Sequence, residues 1–104
     1  MGAVTGVTIT SRTKNFGQQI LSGYCHMSSS YSSGGDTLSP SQLGLTAISE
    51  LIVMNSQASG YVSGYNGLSS GSARIQCYVC STGVELSGNG AQLPGRIYFK
   101  VFGY

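Results

Sequence analysis

From residue 72 to residue 80 the chain alternates without a break, with Ala73, Ile75, Cys77 and Val79 on one side and Arg74, Gln76 and Tyr78 on the other. A period of two sends successive side chains to opposite faces of an extended chain, so this segment predicts a strand with one face in a core and one in water. Residues 96–104 repeat the pattern, setting Ile97, Phe99 and Val101 against Tyr98, Lys100, Phe102 and Tyr104. Here the second face is partly apolar as well, a liability in a monomer, and it predicts a subunit contact. Residues 47–54 are apolar except at Ser49 and Glu50 and rich in Ile and Val, which predicts a buried strand. Three further segments read as strands. Residues 3–10 place Val4 and Gly6 on one side and Ala3, Thr5, Val7 and Ile9 mostly on the other. Residues 17–27 put Leu21, Cys25 and Met27 on one face, with Gly23 marking a bulge. Residues 60–65 carry Tyr61 and Tyr65 opposite Val62.

Between these lie turn signals. Residues 12–17, RTKNFG, read as a turn, and residues 28–35, SSSYSSGG, as a polar mobile loop with too little to bury. Tyr31, at the centre of that loop, is either a contact residue for a partner or a ring folded back onto its own sheet. Gly34 and Gly35 suit positive φ, Pro40 takes Ser39 out of the helical region, and residues 42–45 form at most one tight turn. Asn66-Gly67 is a hairpin signal that predicts a turn over residues 66–71. Residues 82–95 hold glycines and a proline around Val84, Leu86 and Leu93, and predict a long connection with one edge strand. Strands recurring about every 8–15 residues with turns between them predict an all-β fold, an antiparallel β-sandwich or jelly-roll-like barrel of about six to eight strands. Residues 1–104 form a single β domain, in which residues 1–12 are either an extended N-terminal arm or an edge strand.

Composition changes the picture in one respect. Charged residues are only 8% of the chain, while glycine occupies 16 of its 104 positions, so solubility rests on hydroxyls and amides. Such a surface suits a chain that works attached to something. The net charge of +2 comes from Arg12, Lys14, Arg74, Arg96 and Lys100, which are scattered rather than gathered into the dense basic patch that nucleic-acid binding needs. No apolar run reaches the roughly 18 residues of a membrane span, and the opening residues show neither a signal-peptide pattern nor a myristoylation signal. The expectation is a protein made in a cytoplasm, with no nucleic-acid or membrane partner.

Chemistry has little to work with. The acids Asp36, Glu50 and Glu85 are far apart in sequence, and none adjoins His26, the single histidine. Paired-carboxylate hydrolysis needs two acids a few ångströms apart. Asp36 fits better as an acceptor of backbone hydrogen bonds in its own turn, and Glu50 as the partner of a basic residue across the sheet or across a subunit boundary. Cys25, His26, Cys77 and Cys80 include a Cys-x-x-Cys and invite a zinc reading, but neighbouring strand residues diverge, as do Cys77 and Cys80. Three buried free thiols are the simpler expectation, and a disulfide from Cys25 to Cys77 or Cys80 is the alternative. No nucleophile, metal or cofactor site is expected, and the chain reads as a non-enzyme.

The stretch GGDTLSPSQLGL at residues 34–45, followed by Ala47, Ile48 and an apolar strand, resembles small structural proteins encoded beside the capsid genes of tailed bacteriophages and cyanophages. Gly60-Tyr61-Val62, the strand over residues 72–78 and the closing Gly103-Tyr104 extend the likeness to those capsid decoration, or cement, proteins. The chain departs from their pattern at Gly64, Tyr65 and Asn66, where the family has Tyr-Asp, and in having three cysteines. The resemblance implies a virion protein on the outer capsid surface, a homotrimer partnered by the major capsid protein. The expected contact residues are Tyr98, Phe102 and Tyr104 between subunits, an N-terminal arm with Val4, Val7 and Ile9 toward the shell, and Tyr31 in its loop. The competing expectation is an adhesion module that binds host carbohydrate through Tyr24, Tyr31, Tyr61 or Tyr65.

Overall fold

Two antiparallel sheets enclose one core in a computed structural model that describes residues 2–31, 34–69 and 72–104. Among the described residues seven strands build them: β1 Thr5–Asn15, β2 Gln18–His26, β3 Asp36–Leu38, β4 Ile48–Ser56, β5 Tyr61–Ser69, β6 Ser72–Val79 and β7 Ile97–Gly103. One sheet has the order β1-β2-β7-β4 and the other β3-β6-β5. Two 3-10 turns, Pro40–Leu43 and Gly88–Gln92, are the only helical elements among the described residues, and neither is long enough to cross a membrane. The all-β sandwich predicted from the alternation is therefore the fold observed.

The core is filled from both sheets. Leu21 and Cys25 of β2, Ile97, Phe99 and Val101 of β7, Leu38 of β3, and Ala73, Ile75 and Cys77 of β6 are all fully buried. β7 alternates buried and half-buried residues along its whole length, and β6 does so up to Tyr78, as their sequence periods require. β4 departs from expectation. It lies at the edge of its sheet, so Ile48 and Leu51 face the core while Ile52 and Met54 are exposed. Ile48 and Leu51 can share the inner face despite their odd spacing because the register slips between Ile48 and Glu50.

The first hairpin is longer than the sequence suggested. Residues 12–15 continue β1 instead of turning, and the reversal falls on Phe16 and Gly17, with Asn15 paired to Gln18. Both turn residues have positive φ, 50° and 81°, the geometry that matches the twist of a two-residue hairpin. Register slips between Thr5 and Thr8 and between Ile9 and Ser11 put bulges in β1. These bring Val7 and Ile9 onto the core side together with Val4, although strict alternation would separate Val4 from the other two. The second slip lies opposite Gly23, where an added Cβ would collide with the Thr8 carbonyl oxygen. Residues 2–4, ahead of β1, do not form a free arm. Val4 donates its N–H to the Thr37 carbonyl and Thr37 donates to the Gly2 carbonyl, while the Gln42 amide bonds the Val4 carbonyl at 2.8 Å.

The serine-rich loop is also tied down where it is described, contrary to expectation; residues 32 and 33 lie outside the described residues. Ser28 is buried, and its N–H donates to the fully buried Asp36 carboxylate at 2.6 Å. That bond comes from eight residues upstream, not from the turn of Asp36 itself. Tyr31 is 3% exposed and donates its hydroxyl to Glu85, accepting the Cys77 N–H in return. Glu85 also accepts from Gly34 N–H and from the Gln76 amide. The predicted edge strand in residues 82–95 is reduced to a single bridge, Tyr78 to Glu85, and this bridge is what brings the carboxylate to Tyr31. Tyr31→Phe should leave buried polar groups unpaired and lower the unfolding free energy by about 1–3 kcal/mol. Urea titration checks this, and an unchanged midpoint would mean the clamp is structurally idle.

At the β5–β6 hairpin the sequence misled. β5 runs through Asn66 and Gly67 to Ser69, which pairs with Ser72, and the register slips between Tyr65 and Leu68. The Asn-Gly signal therefore marks an irregularity within a strand rather than the turn, and residues 70 and 71 lie outside the described residues.

Candidate functional site

The outer face of the four-stranded sheet is where the structure gathers groups suited to recognition. Register fixes its layout. β2 pairs β7 so that Ile20 stands beside Phe102, Ser22 beside Lys100 and Tyr24 beside Tyr98. β4 continues the rows on the other side, with Glu50 beside Phe102 and Ile52 beside Lys100. All of these alternate with core residues, so each points away from the interior. Tyr24 is the centre of a small cluster: its ring meets Tyr98 edge-on at 5.8 Å and His26 at 6.4 Å, and the Arg96 guanidinium lies 4.3 Å from its centroid. Edge-to-face rings and a stacked cation hold one another in place. The result is a contiguous aromatic and basic cluster on the outer face.

Tyr98 and Phe102, expected at a subunit contact, are both on this face and half-buried. Tyr104 is exposed at its end, where its backbone pairs with Ala47. The other expected contacts fall elsewhere. Val4 is a core residue and Tyr31 is buried under its loop, held by Glu85, so neither is presented to a partner, while Val7 and Ile9 are half-buried against the core. Of the tyrosines proposed for sugar binding, Tyr24 is on this face, Tyr31 is buried, and Tyr61 and Tyr65 are on β5 in the other sheet. They do not converge on one site.

Alternation already implied that Ser22, Tyr24 and His26 oppose Leu21, Cys25 and Met27. What joins them to Tyr98 and Arg96 is the β2–β7 pairing, which no local signal announces.

Cys25 and Cys77 are buried free thiols and Cys80 an exposed one, with no disulfide between Cys25 and Cys77. Burial, reinforced by Cys77 and Asp36, pushes the Cys25 thiol up to about 12, and burial also raises Cys77, so neither is poised as a thiolate nucleophile or ligand. No group of three or more His, Cys, Asp or Glu residues could hold a metal ion among the described residues. Compared with protein families, characterised proteins and solved structures, the chain matches none.

Proposed function

We propose that this is a structural, non-enzymatic protein of a virion, a decoration protein that binds the outer surface of the mature phage capsid through the major capsid protein and works as a small symmetric cluster, a homotrimer. The single observation that carries this reading is the aromatic and basic outer face of β2, β7 and β4, on a chain with few charges to keep such a face soluble alone. The turn-and-strand motifs that resemble decoration proteins support it from the sequence side.

The mechanism is thermodynamic. A molecule that binds the expanded shell and not its precursor lowers the free energy of the expanded state by its binding term, and copies bridging neighbouring capsomers add those terms without new contacts within any capsomer. The shell then resists the outward pressure of packaged DNA. Tyr98 carries the contact with the shell, and Tyr24, with Arg96 over its ring, sets the position of Tyr98.

Mixing the protein with mature heads and with empty precursor shells tests this, with saturable binding to the former and little to the latter as the expected result. Tyr98→Ser should weaken that binding by about tenfold or more, as interface aromatics do, with little change in melting temperature. Absence of binding to mature heads, or equal binding by the variant, would overturn the proposal. The competing reading, a carbohydrate-binding module, has one favourable feature, the Tyr24 ring flanked by Arg96 and His26. A saccharide hit on a glycan array without capsid affinity would select it.

A further inference from the structure

At the tip of the β1–β2 hairpin stands a residue that the fold does not need. Phe16 is 102% exposed, as open as in an isolated peptide, and its φ of 50° puts a bulky aromatic side chain in the left-handed region. That region is uncommon for any residue but glycine and an outlier for large side chains, and the first position of a two-residue hairpin turn of this kind ordinarily carries Asn, Asp or Gly. A strained backbone that presents an apolar ring to water benefits neither turn stability nor solubility, and strain of this kind collects at sites of function. The tip is stiffened from behind, because Arg12 on the same hairpin bonds both the Gln19 side chain at 2.7 Å and the Leu43 carbonyl at 2.8 Å. Beside the ring, Lys14 is exposed, and no acid occurs on either strand of the hairpin.

We infer that Phe16 is an anchor by which one copy of the chain docks on a second copy, at the Glu50, Ile52 and Met54 strip of β4. This rests on the homo-oligomeric part of the function proposed above, and names both halves of the contact. The case is one of complementarity. Asp36 is fully buried and Glu85 is engaged within the molecule, which leaves Glu50 as the acid offered outward, and it lies in line with the exposed Ile52 and Met54. An apolar ring with a lysine beside it meets an apolar strip with a glutamate at its end. Lys100 stands beside Ile52, so the tip approaches from the Glu50 end, where opposite charges meet. A hairpin tip alone falls short of the roughly 800 Å² per partner that a stable interface uses. The contact therefore spreads onto the adjoining Phe102 and Lys100 rows, with Phe16 as its hot spot. Tip and strip are different surfaces, so the contact is heterologous and closes into a ring when its rotation allows.

Light scattering and sedimentation equilibrium of the full chain test this. The wild type should associate reversibly. Phe16→Asn, which fits the turn better, should weaken association by about thirtyfold while keeping or raising the melting temperature. Ile52→Ser should weaken it comparably. Lys14→Glu and Glu50→Lys should each weaken it, and the double variant should recover association. A wild type that stays monomeric at millimolar concentration, or a Phe16→Asn protein that associates as well as the wild type, would overturn the inference. So would a monomer whose Phe16 instead drives binding to phosphatidylserine vesicles. An oligomer sensitive to Phe16 but without affinity for mature heads would sustain this contact and remove the capsid reading, whereas monomeric binding to heads would do the reverse.

Discussion

Phe99→Ala is expected to lower the unfolding free energy by about 3–5 kcal/mol, the usual cost of emptying an aromatic site in a packed core. Phe99 is fully buried, heads the fully buried side chains in size, and sits at mid-strand in β7, which pairs with β2 on one side and β4 on the other. Its neighbours cannot close the gap without shifting the strand that both flanking ladders share. A domain of this size has only about 5–15 kcal/mol of net stability, so the variant should melt about 15–30 °C lower or fail to accumulate as folded protein. The effect should reach the outer face, because Tyr98 and Lys100 are positioned by the same backbone. Phe102→Ala provides the control: Phe102 is half-buried and points outward, so its loss should cost only about 1 kcal/mol of stability while still weakening association. Thermal melts of the two variants check the contrast, and similar losses would mean that the inner and outer faces of β7 are not packed as differently as their burial indicates.

That contrast is legible in the sequence. The alternation over residues 72–80 and 96–104 specified two strands, their inner faces and the leftover apolar face of the second, because a half-buried strand writes its environment directly into its period. What stayed hidden depended on contacts distant in sequence. The turn expected over residues 12–17 could not be narrowed to Phe16 and Gly17, since an aromatic at positive φ contradicts the statistics that identify turns. Asn66-Gly67 misled for the converse reason, a strong local signal overruled by the pairing of β5 with β6. Tyr31 sits in a segment whose composition argues for mobility, yet its hydroxyl reaches Glu85, 54 residues away. For the candidate site, Tyr98 and Phe102 were readable from β7 alone, whereas the cluster of Tyr24, His26 and Arg96 needed the knowledge that β2 is the neighbour of β7.

The same burial that keeps Cys25 and Cys77 protonated should make the protein fail in alkali. Burial holds the Cys25 thiol at about 12 against an ordinary 9.0, with the nearby Cys77 and Asp36 adding to the shift. Cys77 is raised by burial too, partly offset by its bond with Ser63, and Tyr31 is raised by burial and then by its bond to Glu85. The sign follows from proton counts. Below the ordinary pKa both folded and unfolded chains keep these protons, and stability does not change on their account. Between that value and the raised one, the unfolded chain releases protons that the folded chain retains, so raising the pH favours unfolding. Each group contributes a slope of up to about 1.4 kcal/mol per pH unit, so Cys25 alone removes on the order of 3 kcal/mol by pH 12, with Cys77 and Tyr31 acting in the same direction. Stability should therefore be level on their account through neutral pH, begin to fall near 9, and keep falling toward 12. Urea midpoints across pH 7 to 12 measure this, and Cys25→Ala, weaker at neutral pH, should show a visibly shallower fall. A wild-type midpoint that holds to the end of that range, or an equal slope in Cys25→Ala, would mean that these thiols ionise inside the fold and that the two sheets admit water where the packing says they do not.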